Sequence, residues 1–496
     1  MNRTPPLALL ALATALGPPA APAQQPSPDV AIAFRPAAEP RPALKYRLAP
    51  ERRDLEPGNA AIFYHRALLL TNQARTRSAA NAATDGEPPT GRPVAVDEPV
   101  SRWIAGPIAE IPRDRARAVL AAFVDALKEV DLGASRSACD WEFDRRSEGI
   151  NVLLPEIQEM RSIARLQALR ARLAILDGRL DEAFRRIEDG LTIGRQVGQG
   201  PVAIQALVGA AIDHLMVRCL EDWVQAPGAP SLYWALADRP RPAVDLRPAL
   251  EGERYFLEKE LPGLADLDRG PWGLDQARRF ADEMQRKLFT LASDARPASE
   301  SVAPGQAAFR RLGVAAVCGK IYPRARRALI AGGRSEAEVE AMPVIQVSML
   351  VTYGEYKTLR DDSYKWMGLP YWQSFRQVDA RNMGTVEEKM VNPLLTLFQF
   401  ATPPLNAVRL AAVRVDRQLD ALQCVELIRL HAAAHGGKLP ATLGAITEAP
   451  APLDPATGEP FAYEVAGDSA ILSAPIPPGG PNHPSFQIRY VLKPAR

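Results

Sequence analysis

Helical periodicity is strongest and least interrupted from Met160 to Leu220. Ile163, Leu166, Leu169, Leu173 and Leu176 form one apolar stripe, Asp177-Gly178-Arg179 breaks it, and Ala183, Phe184, Ile187 and Leu191 form a second. Spacings of three and four put each set on one face of a helix. After Gly198-Gln199-Gly200-Pro201, the doublets Leu207/Val208, Ala211/Ile212, Leu215/Met216 and Cys219/Leu220 recur every four residues. A face that broad packs among neighbouring helices instead of lying on a surface. The pattern predicts a helical hairpin, with a third helix behind it, at the centre of a core.

Elsewhere the signals are shorter. Asn59 is placed to cap a short helix carrying Phe63, Ala67 and Leu70, and Gln73 to Glu98 reads as a polar loop. Pro112 to Leu132, Leu246 to Glu260 and Leu274 to Leu291 read as helices, with a proline-punctuated connector from Trp223 to Pro248. Asp416 to His435 is amphipathic through Leu419, Leu422, Val425, Leu427, Leu430 and Ala434, and Gly436-Gly437 ends it. The period then changes to two. Phe461 to Val465 and Ala470 to Ala474 predict strands joined at Gly467-Asp468, with a third from Phe486 to Leu492. The fold class is therefore mainly α, with a small C-terminal α+β module of one long helix and a β-hairpin. Divisions fall at 1–23 (leader), 24–100 (extended linker with a short helix), 101–260 (helical domain), 261–415 (second, mostly helical and aromatic-rich region) and 416–496 (C-terminal module).

Three resemblances attach to these segments. Gly178-Arg179-Leu180-Asp181-Glu182-Ala183, with Ile187 and Gly190-Leu191, resembles the turn and second helix of a tetratricopeptide repeat. Gln167 and Arg170 depart from that pattern, and no second unit follows, so the resemblance implies one local hairpin and not a stacked array. The order of long helix, His-Gly-Gly-Lys-Leu-Pro, Asp-Pro-Ala-Thr-Gly and hairpin is similar to the globular part of type II secretion pseudopilins. Leu44-Lys45-Tyr46-Arg47-Leu48, Pro57-Gly58-Asn59-Ala60-Ala61, Cys139-Asp140-Trp141-Glu142, Arg360-Asp361-Asp362 and Lys365-Trp366 resemble a recurrent family of large secreted proteins from planctomycete-type bacteria. That last resemblance implies export.

Composition agrees. Arg3, an apolar run from Leu7 to Leu16 and Ala21-Pro22-Ala23 form a secretory signal with cleavage after Ala23. No later segment reads as a membrane-crossing helix, so the mature chain is expected to be periplasmic or secreted. Sixty Lys and Arg balance 58 Asp and Glu, for a net charge of +2, which gives no global field for nucleic acid or an anionic membrane. The partner expected is a protein or an envelope component. Cys139, Cys219, Cys318 and Cys424 are widely spaced and read as free, mostly buried thiols.

Candidate chemistry is sparse. Cys139 to Asp144, read as extended chain, sets three carboxylates opposite Trp141 and Phe143. Tyr353 to Phe375 concentrates seven aromatics among Glu355, Asp361 and Asp362. Aromatic faces beside carboxylates suit a sugar- or peptide-binding groove, so Glu355, Asp361 and Asp362 are candidate catalytic acids, with Tyr364, Trp366 and Trp372 as candidate ligand contacts. The packing alternative puts at least one of Trp366 and Trp372 in a core. His431 and His435 project from one helix face, but no third ligand lies near in sequence, so no metal is assigned. No cofactor motif occurs. The reading favours a non-enzymatic binding or scaffold protein, over a carboxylate-dependent glycan hydrolase and a secretion- or pilus-associated subunit.

Overall fold

The computed structural model describes residues 29–84, 97–141, 155–292, 304–381 and 405–495, with Asn392, Leu394, Leu395 and Phe398. The leader, and Glu142 and Asp144 of the acidic cluster, lie outside the described residues. The chain begins with β1 (Val30–Phe34) and β2 (Glu56–Asn59), followed by α1 (Ala60–Thr84), α2 (Asp97–Ala105), α3 (Arg113–Ala122), α4 (Val124–Ala134) and β3 (Arg136–Ala138). The central helices are α5 (Pro155–Leu176), α6 (Leu180–Gly198) and α7 (Ala203–Gln225), succeeded by α8 (Tyr233–Ala237), α9 (Arg247–Arg254) and α10 (Phe256–Glu260). Then come α11 (Leu274–Ala292), α12 (Pro304–Ala331), α13 (Glu336–Glu340), α14 (Val344–Tyr364) and α15 (Tyr371–Arg381). The chain closes with α16 (Leu405–Ala434), β4 (Ala462–Ala466), β5 (Ser469–Ala474) and β6 (Ile488–Pro494). The protein is mainly helical, with a small sheet near its C-terminus.

The predicted trio is the centre. Leu166, Leu169, Leu173, Phe184, Ile187, Met216 and Leu220 share one core, while Ile157, Met160, Ile163, Val208 and Ile212 form an adjoining one beneath α1. Gly178 takes a left-handed φ of 71° where the hairpin turns, a conformation that glycine adopts without a Cβ clash. α6 and α7 approach so closely that side chains are excluded. A Cβ on Gly209 would stand 2.6 Å from the Gly194 carbonyl oxygen and 2.8 Å from Gly198 Cα. Backbone cannot swing aside as a rotamer can, so Gly209→Ala is expected to lower stability by roughly 1–3 kcal/mol. Gly313→Ala on α12, where nothing lies within 4 Å, should instead stabilise by about 0.5–1 kcal/mol. Thermal denaturation of both variants reads the two signs.

By length and composition α7 could cross a bilayer, contrary to the expectation that no segment qualifies; 67% of its most apolar window is buried inside the protein. Asp213, Glu221 and Asp222 are buried on it as well, which fits a core helix.

The region read as a linker is woven into that core. β1 pairs in parallel with β6, Val30 opposite Tyr490 and Phe34 opposite Pro494, giving the sheet order β1-β6-β5-β4. β4 and β5 form the predicted hairpin, with the turn at Gly467. Ile32, Phe34, Leu472, Tyr490 and Leu492 bury the same sheet face into the main core. Between β1 and β2 the chain crosses the helices as a strap. Ser231 N–H donates to the Ala38 carbonyl (2.9 Å), Arg195 donates to that of Leu48 (3.0 Å), and Arg429 Nε donates to that of Arg35 (2.9 Å). The helix predicted after Asn59 is long, reaching Thr84 through much of the stretch expected to be loop. Asn59 does cap it, accepting from Ala61 N–H at 3.1 Å.

A second core, separate from the first, is built from Leu257, Leu264, Trp272, Phe280, Ile321, Val347, Tyr353, Tyr356 and Phe398. It lies between chain segments that both belong to the main core.

Candidate functional site

The aromatic-acidic stretch divides between two jobs, neither of them a cleft lined by free carboxylates. Tyr353 and Tyr356 belong to the second core, stacked at a centroid distance of 6.2 Å. Tyr364 is buried too. Tyr371 and Phe375 instead dock α15 onto the C-terminal module, with Tyr371 OH donating to the Pro478 carbonyl at 2.7 Å. Trp372 lies across Gly458 and stays 43% exposed, while Trp366 is half-buried. Neither indole is sealed in a core, so the expectation that at least one of them is a core residue is corrected: both are only partly covered. Each acid is engaged by a cation: Glu355 by Arg324 (2.5 Å), Asp361 by Arg360 (2.9 Å) and Asp362 by Lys365 (2.5 Å). Asn392 also donates to Glu355, at 2.8 Å. These oxygens serve ion pairs within the protein, which removes the geometric argument for a glycan hydrolase.

A cleft of about 370 Å³ lies elsewhere, between the strap and the exposed face of α6. Tyr46 and Phe184 make its floor, ring centroids 4.6 Å apart, and Trp223 backs both. Its walls carry four cations (Lys45, Arg47, Arg53 and Arg185) and four acids (Glu51, Asp54, Asp181 and Glu188). That balance suits an amphoteric ligand better than a polyanion. Asp181 accepts from Lys45 and from the Tyr46 hydroxyl, each at 2.6 Å, and both bonds hold its carboxyl below the usual range. Among the described residues Glu188 makes no ion pair. Burial, helped by the Asp189 charge, pushes its carboxyl up to about 7, so its charge changes near neutral pH.

Asp181, Arg185 and Glu188 follow helical spacing on the outward face of the hairpin's second helix, a signal the sequence contained. What the sequence did not contain was the strap lying over them. No protein-family model, curated protein or solved structure matches the chain. The site must be read from its own chemistry.

The two histidines at the C-terminal end of α16 do share a face. Their rings stack with centroids 3.9 Å apart, and a third group joins them: Glu448 Oε1 lies 3.3 Å from His431 Nδ1 and 3.2 Å from His435 Nδ1. The loop bearing Glu448 is anchored by Ile446 and Ala449, both buried in the main core. Among the described residues, the four cysteines are free thiols, with Cys219, Cys318 and Cys424 buried. Burial raises each of those thiols well above its ordinary range, which makes them poor nucleophiles.

Proposed function

We propose that the chain is an exported, non-enzymatic binding protein whose recognition site is the cleft between the strap and α6. The observation that carries this reading is the pairing of an aromatic floor, Tyr46 over Phe184, with walls of both charges. The two rings are themselves buried and brace the cleft from beneath, and fixed charges of both signs orient a ligand carrying its own. The partner that fits is a polypeptide segment of an envelope or extracellular protein. Export rests on the composition of Met1 to Ala23. N-terminal sequencing should find the mature chain beginning at Gln24; a cytoplasmic protein retaining Met1 would contradict it.

A photoreactive side chain placed at Arg185 should yield a discrete adduct in the exporting host. The same group at Leu274, exposed on the other core, should yield none. Glu188→Lys should abolish the adduct. Equal labelling at both positions, or labelling indifferent to Glu188→Lys, would sink the proposal. Because the Glu188 carboxyl lies near 7, its attraction for a ligand cation is present above that pH and lost as pH falls through it. Adduct yield should therefore rise from pH 6 to pH 8, and Glu188→Gln should flatten the rise. The same shift bears on stability with the opposite sense. The folded value lies above the ordinary 4.5, so stability falls as pH rises from about 4.5 to 7.

A further inference from the structure

We propose that His431, His435 and Glu448 form a binding site for a divalent transition-metal ion of the zinc class. One ligand atom from each residue can be chosen so that all three lie within 4.8 Å of one another. Ligands about 2.0–2.1 Å from a tetrahedral ion stand about 3.3 Å apart, and the two nitrogen-to-oxygen separations here are 3.3 and 3.2 Å. Those separations are not good hydrogen bonds: Glu448 Oε1 is buried and accepts none, although two ring nitrogens are that close. A buried carboxylate oxygen without a donor is costly, and a cation shared with both imidazoles would satisfy it.

The surroundings hold these groups in place. The other carboxylate oxygen, Oε2, accepts from the Thr447 N–H at 3.0 Å, and His431 Nδ1 lies 3.4 Å from it. Partial burial works against the charged carboxylate, but backbone N–H groups and His431 outweigh it and keep Glu448 below the usual range. His435 Nδ1 lies 2.9 Å from the His431 carbonyl oxygen, a hydrogen bond that this nitrogen gives up, with its proton, when it takes the ion. His431 sits in the last turn of α16 and His435 directly follows it, where the helix's C-terminal carbonyls favour positive charge. Two imidazoles and one carboxylate select zinc, copper, nickel or iron over magnesium and calcium, which prefer all-oxygen sites. His431 is largely covered, while the His435 side chain is 50% exposed. The ion therefore enters from the His435 side and keeps a coordination position open to solvent. It links the end of α16 to the loop that follows.

The test uses the full mature chain, stripped with chelator and dialysed against Zn2+ alone. One ion per chain and a raised melting temperature are expected, and Co2+ should give the visible absorption of a tetrahedral nitrogen-oxygen site. His435→Gln and Glu448→Gln should each weaken Zn2+ binding at least 100-fold. Circular dichroism of the half-exposed His435→Gln variant checks that its fold is kept. His483→Gln should bind as the unaltered chain does. The proposal is overturned by sub-stoichiometric Zn2+, by binding that survives His435→Gln, by loss in His483→Gln, or by Mg2+ binding as tightly as Zn2+.

Discussion

Replacing Arg417 by alanine is expected to cost roughly 3–5 kcal/mol and to loosen the C-terminal module from α16. The guanidinium and its partner are both sealed, each side chain 1% exposed. Arg417 donates to Asp454 through Nε and one terminal nitrogen, both at 2.8 Å, and to the Pro475 and Phe486 carbonyls at 2.6 and 2.9 Å. One side chain thus fixes the loop before β4 and both ends of the β5–β6 connection. Asp454 in turn orders its own turn by accepting from Ala456 N–H at 2.9 Å. Truncating the arginine leaves a buried carboxylate with no counter-charge, and that penalty exceeds the worth of the pair itself. Urea denaturation measures the loss, and hydrogen exchange should accelerate across residues 454–460. The double variant Arg417→Met with Asp454→Leu should recover most of the stability, because it removes the orphaned charge along with the bond. A single-variant cost below about 1 kcal/mol would mean the pair is screened by water.

Trp223→Ala should be comparably severe, at roughly 3–5 kcal/mol. The indole is fully buried and edge-on to Tyr46 and Phe184 at centroid distances of 5.5 and 5.8 Å. Its Nε1–H donates to the Pro230 carbonyl at 3.0 Å. Since Tyr46 and Phe184 floor the cleft, the cavity should also release the strap, and crosslinking through position 185 should fall with stability. Trp223→Phe keeps the edge contacts and loses the hydrogen bond, so a smaller loss is expected. Thermal denaturation of the three proteins should rank them unaltered, Phe, Ala. Equal melting temperatures would show that Trp223 does not organise this junction.

Local pattern was enough for the elements whose partners are near in sequence. The trio α5–α7 was legible because each helix repeats its own apolar face, and the β4–β5 hairpin because alternation and a Gly-Asp turn are short-range signals. The His431–His435 pair was legible for the same reason: helical spacing alone places two rings together. The first half of α16 was not. Arg409 and Arg414 interrupt its apolar face, so periodicity pointed to a start near Asp416, whereas the helix begins at Leu405. Arg409 and Arg417 are buried there, because distant segments bring carbonyls, Ser374 and Asp454 to their guanidinium groups. β1 was equally opaque, since its pairing partner is at the other end of the chain. Glu448 and the strap over α6 belong with it. Periodicity reports which face of an element is apolar. Which charge neutralises which, which strand completes a sheet and which carboxylate meets two imidazoles depend on segments meeting in space, and those encounters are fixed by tertiary packing.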